Sequence, residues 1–259
     1  INTVHSALTD DLRTPQSRAV AEGADASLLA TTTPDRDTNI TEIISVPFSV
    51  SGTQRAVEHY GHGDTLEYET MKALKDWGNA AEFDIVRSTL VSGASGTVPK
   101  MDGIINKIST NASSQTSGTT FSESILQGVL QDNWDNSNGE TATDIYVGAR
   151  MKRRFTDFTG RAAQQTMVGN KEVINSVELY ISDFGTHRVH LHRYVFQSSD
   201  ATDRILGVRP EKWELAYLRE PRTEELAKAG DADKRQVIGE LTLLAKNEST
   251  NFYQDGFLK

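Results

Sequence analysis

An α+β fold is predicted by a few local patterns in this sequence. Ile44, Val46, Phe48 and Val50 alternate with Ser45, Pro47 and Ser49, the period of a strand with one apolar face. A proline-free run from residue 65 to about residue 90 then repeats Met71, Leu74, Trp77, Ala81 and Ile85 at spacings of three and four, one stripe of a helix. Late in the chain, Val189 to Val195, Trp213-Leu215-Tyr217 and Val237-Leu241-Leu243 read as further strands.

Composition narrows the class of protein. With 24% charged and 37% hydrophobic residues in 259, the chain can bury one large core or two modest ones. No apolar run approaches a membrane span, and the polar residues 1–10 do not read as a signal peptide. The chain opens on Ile1, which reads as an N-terminus cleaved, trimmed or continued upstream. Cysteine is absent, so disulfides, thiolate catalysis and cysteine zinc sites are excluded. The sequons at Asn39, Asn111 and Asn247 are expected by chance in so Asn-, Ser- and Thr-rich a chain, and synthesis in the cytoplasm is expected. A net charge of −9 argues against a protein that grips a phosphate backbone, though not against one that encloses DNA without gripping it.

The elements are expected in the following order. Residues 1–35 are polar and irregular around Pro15 and Pro34, an extended arm with one short helix over 17–29. The 44–50 strand carries Pro47, which suits an edge or a ribbon, and Ser51-Gly52-Thr53 supplies a turn from which residues 55–59 return antiparallel. Such a two-stranded hairpin needs a partner surface to be stable. Asp64 and Glu67 have capping-box spacing at the start of the long helix, which spans roughly 39 Å at the usual rise; Gly78-Asn79 marks a place for a bend. Residues 92–120, rich in Gly, Ser, Thr and Asn, read as loop with short elements. Helices over 121–134 and 150–158, a short buried strand over 144–148, and a hairpin of 177–181 and 189–195 around Asp183-Phe184-Gly185-Thr186 complete the pattern.

Chemistry-bearing motifs are few. His187, His190 and His192 include an H-x-H pair that a strand would place on one face, but no further ligand follows at a recognisable spacing, so a polar strand face is the better reading. His59 and His62 flank a glycine turn. Gly61-His62-Gly63 lacks the third glycine of a dinucleotide fingerprint, since Leu66 stands there, and no parallel βαβ unit follows. Lys152-Arg153-Arg154 reads as a solvated face or an inter-subunit salt-bridge set ahead of a DNA contact.

A resemblance runs through the chain in collinear order. Glu22-Gly-Ala-Asp-Ala26, Val50-Ser-Gly-Thr-Gln-Arg-Ala-Val57, Ser182-Asp-Phe-Gly-Thr186, Trp213-Glu-Leu-Ala-Tyr-Leu-Arg219, Glu225-Leu-Ala-Lys-Ala-Gly-Asp231, Lys234, Glu240-Leu-Thr-Leu and Asn247 resemble the SU-ten-like major head protein family of tailed bacteriophages. One departure is the lack of an aromatic residue before Leu8-Thr-Asp10. The resemblance implies the Hong Kong 97 phage-type capsid fold: an N-terminal arm (1–35), an E-loop hairpin (36–60), the spine helix of a peripheral domain (61–95), an axial domain (96–206) and a return to the peripheral domain (207–259).

It further implies a major capsid protein, not an enzyme. Such a chain assembles with copies of itself into hexamers and pentamers, meets portal and decoration proteins, and encloses double-stranded DNA without reading its sequence. No cofactor, metal or membrane is implied, and the protein ends in the virion capsid after assembly in the host cytoplasm. Ile44, Val46, Phe48 and Val50 on the E-loop are the expected inter-subunit contact residues. The rivals are a cellular nanocompartment shell of the same fold and an enzyme built on the histidines. Against the latter, metal analysis is expected to find no bound transition metal. Stoichiometric zinc, manganese or iron that disappears in a His190→Ala, His192→Ala double variant overturns this.

Overall fold

A computed structural model describes the chain except residues 1–2, 11–12, 14–15, 27, 32, 58–59, 62, 95, 160–178, 198–199, 229 and 259. A two-stranded ribbon opens it: β1 (Val4–Thr9) runs antiparallel to β2 (Asp35–Ile40). The described residues of 17–29 form no helix; they carry a turn at Glu22-Gly23, with Val20 and Leu28 exposed. A helix this short, with no apolar surface to lie on, does not cover its nucleation cost.

β3 (Glu42–Ser51) follows, and it ends in a helix, α1 (Gly52–Ala56), where a turn and a returning strand were expected. The Ser51 side chain accepts from Gln54 N at 3.2 Å, an N-cap that turns the chain helical before it can double back. The partner of β3 is instead β10 (Ala232–Ala245), which also pairs antiparallel with β9 (Trp213–Leu226), in the order β3-β10-β9.

α2 (Thr65–Arg87) lies across β3 and β10. Asp64 caps it, its Oδ1 accepting from Leu66 N at 3.0 Å, and Glu67 sits in the first turn. Its 23 residues span about 34 Å and run unbroken through Gly78. The buried face is Leu66, Ala73, Trp77 and Ala81, whereas Met71 and Leu74 of the expected stripe are exposed. Alanines carry the contact because they let the helix lie close on the sheet. Trp77 fixes its place: the indole N–H donates to Ile44 O at 3.0 Å. The ring fills the space where a Cβ on Gly239 would stand, 2.6 Å from Trp77 Cζ2. The β9–β10 ladder is irregular at this glycine, so one residue both breaks the register and admits the ring.

The rest of the chain builds a six-stranded sheet, order β4-β11-β8-β5-β7-β6. Its members are β4 (Ala112–Thr119), β5 (Asp144–Val147), β6 (Leu179–Ser182), β7 (Gly185–Leu191), β8 (Asp203–Val208) and β11 (Phe252–Phe257). β4–β11 and β5–β7 are parallel and the other pairs antiparallel. Residues 177–178 of the expected hairpin lie outside the described residues; its tight turn stands at Asp183-Phe184. β11 joins residues 252–257 to this sheet, not to the three-stranded one.

Alternation gives the six-stranded sheet two apolar faces. Ile145, Val147, Ile205 and Phe252 point to a core closed by α4 (Glu123–Asn136) and α5 (Ala149–Thr159), with Leu126, Leu130, Met151 and Phe155. Tyr146, Leu206, Val208 and Tyr253 point the other way, toward Val86 and the residues around α3 (Ile104–Lys107). Ile104 and Trp213 touch both this layer and the α2 core, so the layers are continuous.

Trp213 is only half-buried, and Leu215 and Tyr217, which alternate with it, are exposed. They stand opposite Leu243 and Leu241 on the α2 side of the sheet, beyond the reach of that helix. Trp77→Ala is therefore expected to cost about 3–5 kcal/mol and Trp213→Ala distinctly less. Urea unfolding of the unassembled chain checks this; equal losses at the two positions would show that the Gly239 seat is not special.

Candidate functional site

The expected contact strand divides its apolar side chains unequally. Ile44 and Val50 are buried, while Val46 and Phe48 are half-buried. Ile44, Val46 and Phe48 pack on the core of α2, so the face that the sequence argument left to a partner is covered to this extent within the chain. In register, Val46 stands opposite Val237, Phe48 opposite Arg235 and Val50 opposite Asp233. The tip beyond Val50 is charged. Arg55 contacts Asp233 (2.5 Å) and Asp64 (3.4 Å), and Lys228 also reaches Asp233. These hydrogen bonds and charges hold the Asp233 carboxyl below its ordinary range, Lys228 first and Arg55 next.

A lone chain leaves other apolar side chains in water. Tyr68, Met71 and Leu74 are exposed on α2, Leu215 and Tyr217 stand on β9, and Ile43 projects from β3 away from Ile44. In the arm, Leu8 is 75% exposed and Leu28 96%. Exposed apolar side chains are where burial against another surface gains most. Sequence patterning read Met71 and Leu74 as part of one helical stripe and Leu215 and Tyr217 as alternating strand residues, and periodicity alone does not say which of them the chain itself covers.

The histidines separate. His187 is fully buried on the α5 side of β7, its Nδ1 2.7 Å from Ala142 O and its Nε2 2.9 Å from Ser182 Oγ. Burial pushes its imidazole below the ordinary range, opposed by the Ala142 carbonyl. His190 and His192 lie on the opposite side around the Tyr146 ring. His190 Nε2 is 2.8 Å from Asp144 and His192 Nε2 3.0 Å from Glu82. Burial lowers His192 as well, with the Glu82 charge opposing. Among the described residues no group of three or more His, Asp or Glu side chains is placed to hold a metal. His59 and His62 lie outside the described residues.

The basic run does not act as a unit. Lys152 turns inward to Val189 O, and Arg153 is exposed. No helix among the described residues is long and apolar enough to cross a membrane.

The fold has known counterparts. The capsid of a native GTA particle is similar with a TM-score of 0.69 at 11% identity, over 100% of this chain and 86% of that one. The capsid of Myoviridae phage XM1 matches with 0.61 at 11% identity, over 98% and 84%. The SrpI encapsulin of Synechococcus elongatus PCC 7942 matches with 0.57 at 8% identity, over 87% and 76%. At these identities the likeness shows the fold, that of Hong Kong 97-type capsids. No curated protein matches the chain. The model of the SU10 major capsid protein matches residues 1–253, and with the arm, the strand and the long helix in the order this fold requires, the chain belongs to the SU10 major capsid protein family.

Proposed function

We propose that copies of this chain form hexamers and pentamers that close as an icosahedral head around double-stranded DNA, in the host cytoplasm. The family match over residues 1–253 carries this reading, and the uncovered apolar surface of the single chain supports it. The role is structural and involves no catalysis. The shell is completed by a portal and, where present, decoration proteins. DNA is enclosed without sequence-specific contact, in keeping with the charge of −9. The interfaces are heterologous and close by rotation, so one surface patch meets a different patch on the next copy. Electron microscopy of the purified protein tests the shell. Nuclease-protected DNA inside particles is the expected cargo; shells filled with a cargo enzyme would instead support the nanocompartment reading.

Within that assembly, the segment 36–60 serves as the E-loop, with Ile44, Val46, Phe48 and Val50 on its contact face. Ile44 and Val50 stiffen the strand from within, and the remaining surface of Val46 and Phe48 meets the neighbouring copy. A half-buried Phe48 opposite Arg235 tolerates a carboxylate better than a core position would, because the guanidinium stands across the ladder. Phe48→Asp is therefore expected to stay soluble, with an unchanged circular dichroism spectrum, and to form no particles. Particles of normal yield would remove Phe48 from the interface. So would loss of the subunit fold, by making Phe48 a residue of the chain's own core.

A further inference from the structure

α2 lies over β3 and β10, and a groove remains between its last turns and β9. Ile85 and Val86 of α2, Leu206 and Val208 of β8, and Trp213 and Leu215 of β9 line it. Its volume is about 340 Å³. Close-packed interiors leave few voids larger than a water molecule, so a space of this size and lining can seat an apolar group. Leu215 is exposed and carries the lining out to the surface.

One edge of the groove is polar. Glu82 and His192 line it there, with His192 Nε2 3.0 Å from Glu82 Oε1. His192 Nδ1 accepts from Tyr194 N at 3.2 Å, so the ring carries its proton on Nε2 and donates to the carboxylate. A carboxylate accepts at about four positions, and Glu82, whose side chain is half exposed, keeps capacity for another donor. The groove therefore suits a ring that is apolar over its body and ends in a hydrogen-bond donor. A tyrosine has that chemistry.

Tyr60 is the most exposed aromatic side chain among the described residues, and it stands between α1 and the Asp64 cap of α2. Its own groove is out of reach. Ile85 lies about 30 Å from Thr65 along an unbroken helix, whereas the chain from Tyr60 to Thr65 spans at most about 17 Å. We propose that the groove receives Tyr60 of a second copy, its ring among the apolar side chains and its hydroxyl donating to Glu82. This rests on the assembly proposed above and names one contact within it. Knob and seat stand at opposite ends of α2, so each copy offers a knob to one neighbour and a seat to another, the head-to-tail relation that closes by rotation. Leu28 of the arm is almost as exposed, but an aliphatic tip makes no use of the Glu82 edge.

Tyr60 is exposed in the single chain, so Tyr60→Ala is expected to leave the melting temperature of the unassembled protein unchanged. It is expected to raise the concentration needed for particle formation by about tenfold or more. Tyr60→Phe, which keeps the ring, is expected to raise it less. Because the chain has no cysteine, an engineered disulfide reports the contact itself. Tyr60→Cys and Leu215→Cys chains are mixed into an excess of wild type, assembled and oxidised. The expected product is a disulfide-linked dimer of one chain of each variant, absent when either variant is mixed alone with wild type. Unchanged assembly of Tyr60→Ala would overturn the contact, as would mixed particles without that dimer. A Leu28→Cys chain that links to Leu215→Cys in its place would overturn it in favour of the arm. Wild-type protein that forms no particles would overturn the assembly reading, and this contact with it.

Discussion

The seat of one indole orders the molecule. Trp77 lies on β10 only because Gly239 has no side chain, and its N–H is bonded to the backbone of β3. Pro221 of β9 is also close, its Cα 3.1 Å from where a Gly239 Cβ would be, so α2 and all three strands of the smaller sheet meet at this point. Once Trp77 is seated, the line of α2 is set. Its later turns carry Glu82 to His192 and Arg87 to Asp200, the latter at 2.6 Å, which ties the helix to the larger sheet. The continuity between the two cores follows from this one placement more than from any surface ion pair, whose worth is modest.

That placement also decides what stays uncovered. A helix lying over β3 and β10 cannot cover β9, so Leu215 and Tyr217 remain open, and α2 itself leaves Tyr68, Met71 and Leu74 exposed. For a monomeric protein such surface invites aggregation. In a protein of a capsid family such surface is what the proposed assembly would bury.

Some of this could be read from the residues alone. Asp64 and Glu67 marked the start of α2, and the alternation around Phe48 marked β3, because capping and strand period are local. The partner of β3 could not be read, since it stands near residue 240 and no local pattern specifies it. The face of α2 was misjudged because weight went to the large Met71 and Leu74, whereas the close contact belongs to Ala73 and Ala81. β4 was missed because Ala-Ser-Ser-Gln-Thr-Ser-Gly-Thr has no apolar alternation; it is an edge strand held by its backbone pairing to β11. The alternation of Ile44, Val46, Phe48 and Val50 was legible as an apolar face, but not how much of that face α2 would claim.

Chain order in the two sheets has a consequence for synthesis. β10 inserts between β3 and β9, and β11 between β4 and β8, so each sheet receives an inner strand after both of that strand's neighbours have been made. Between the emergence of Ser51 and that of Ala232, its ladder partner, a ribosome adding about 5–20 residues per second needs on the order of 10–40 s. Over that interval the edge of β3 has no ladder partner, and α2 has no β10 on which to seat Trp77. Closure is thus a late event that waits for β10 and β11. A nascent subunit has no finished surface to offer its neighbours until it can no longer be caught half-made.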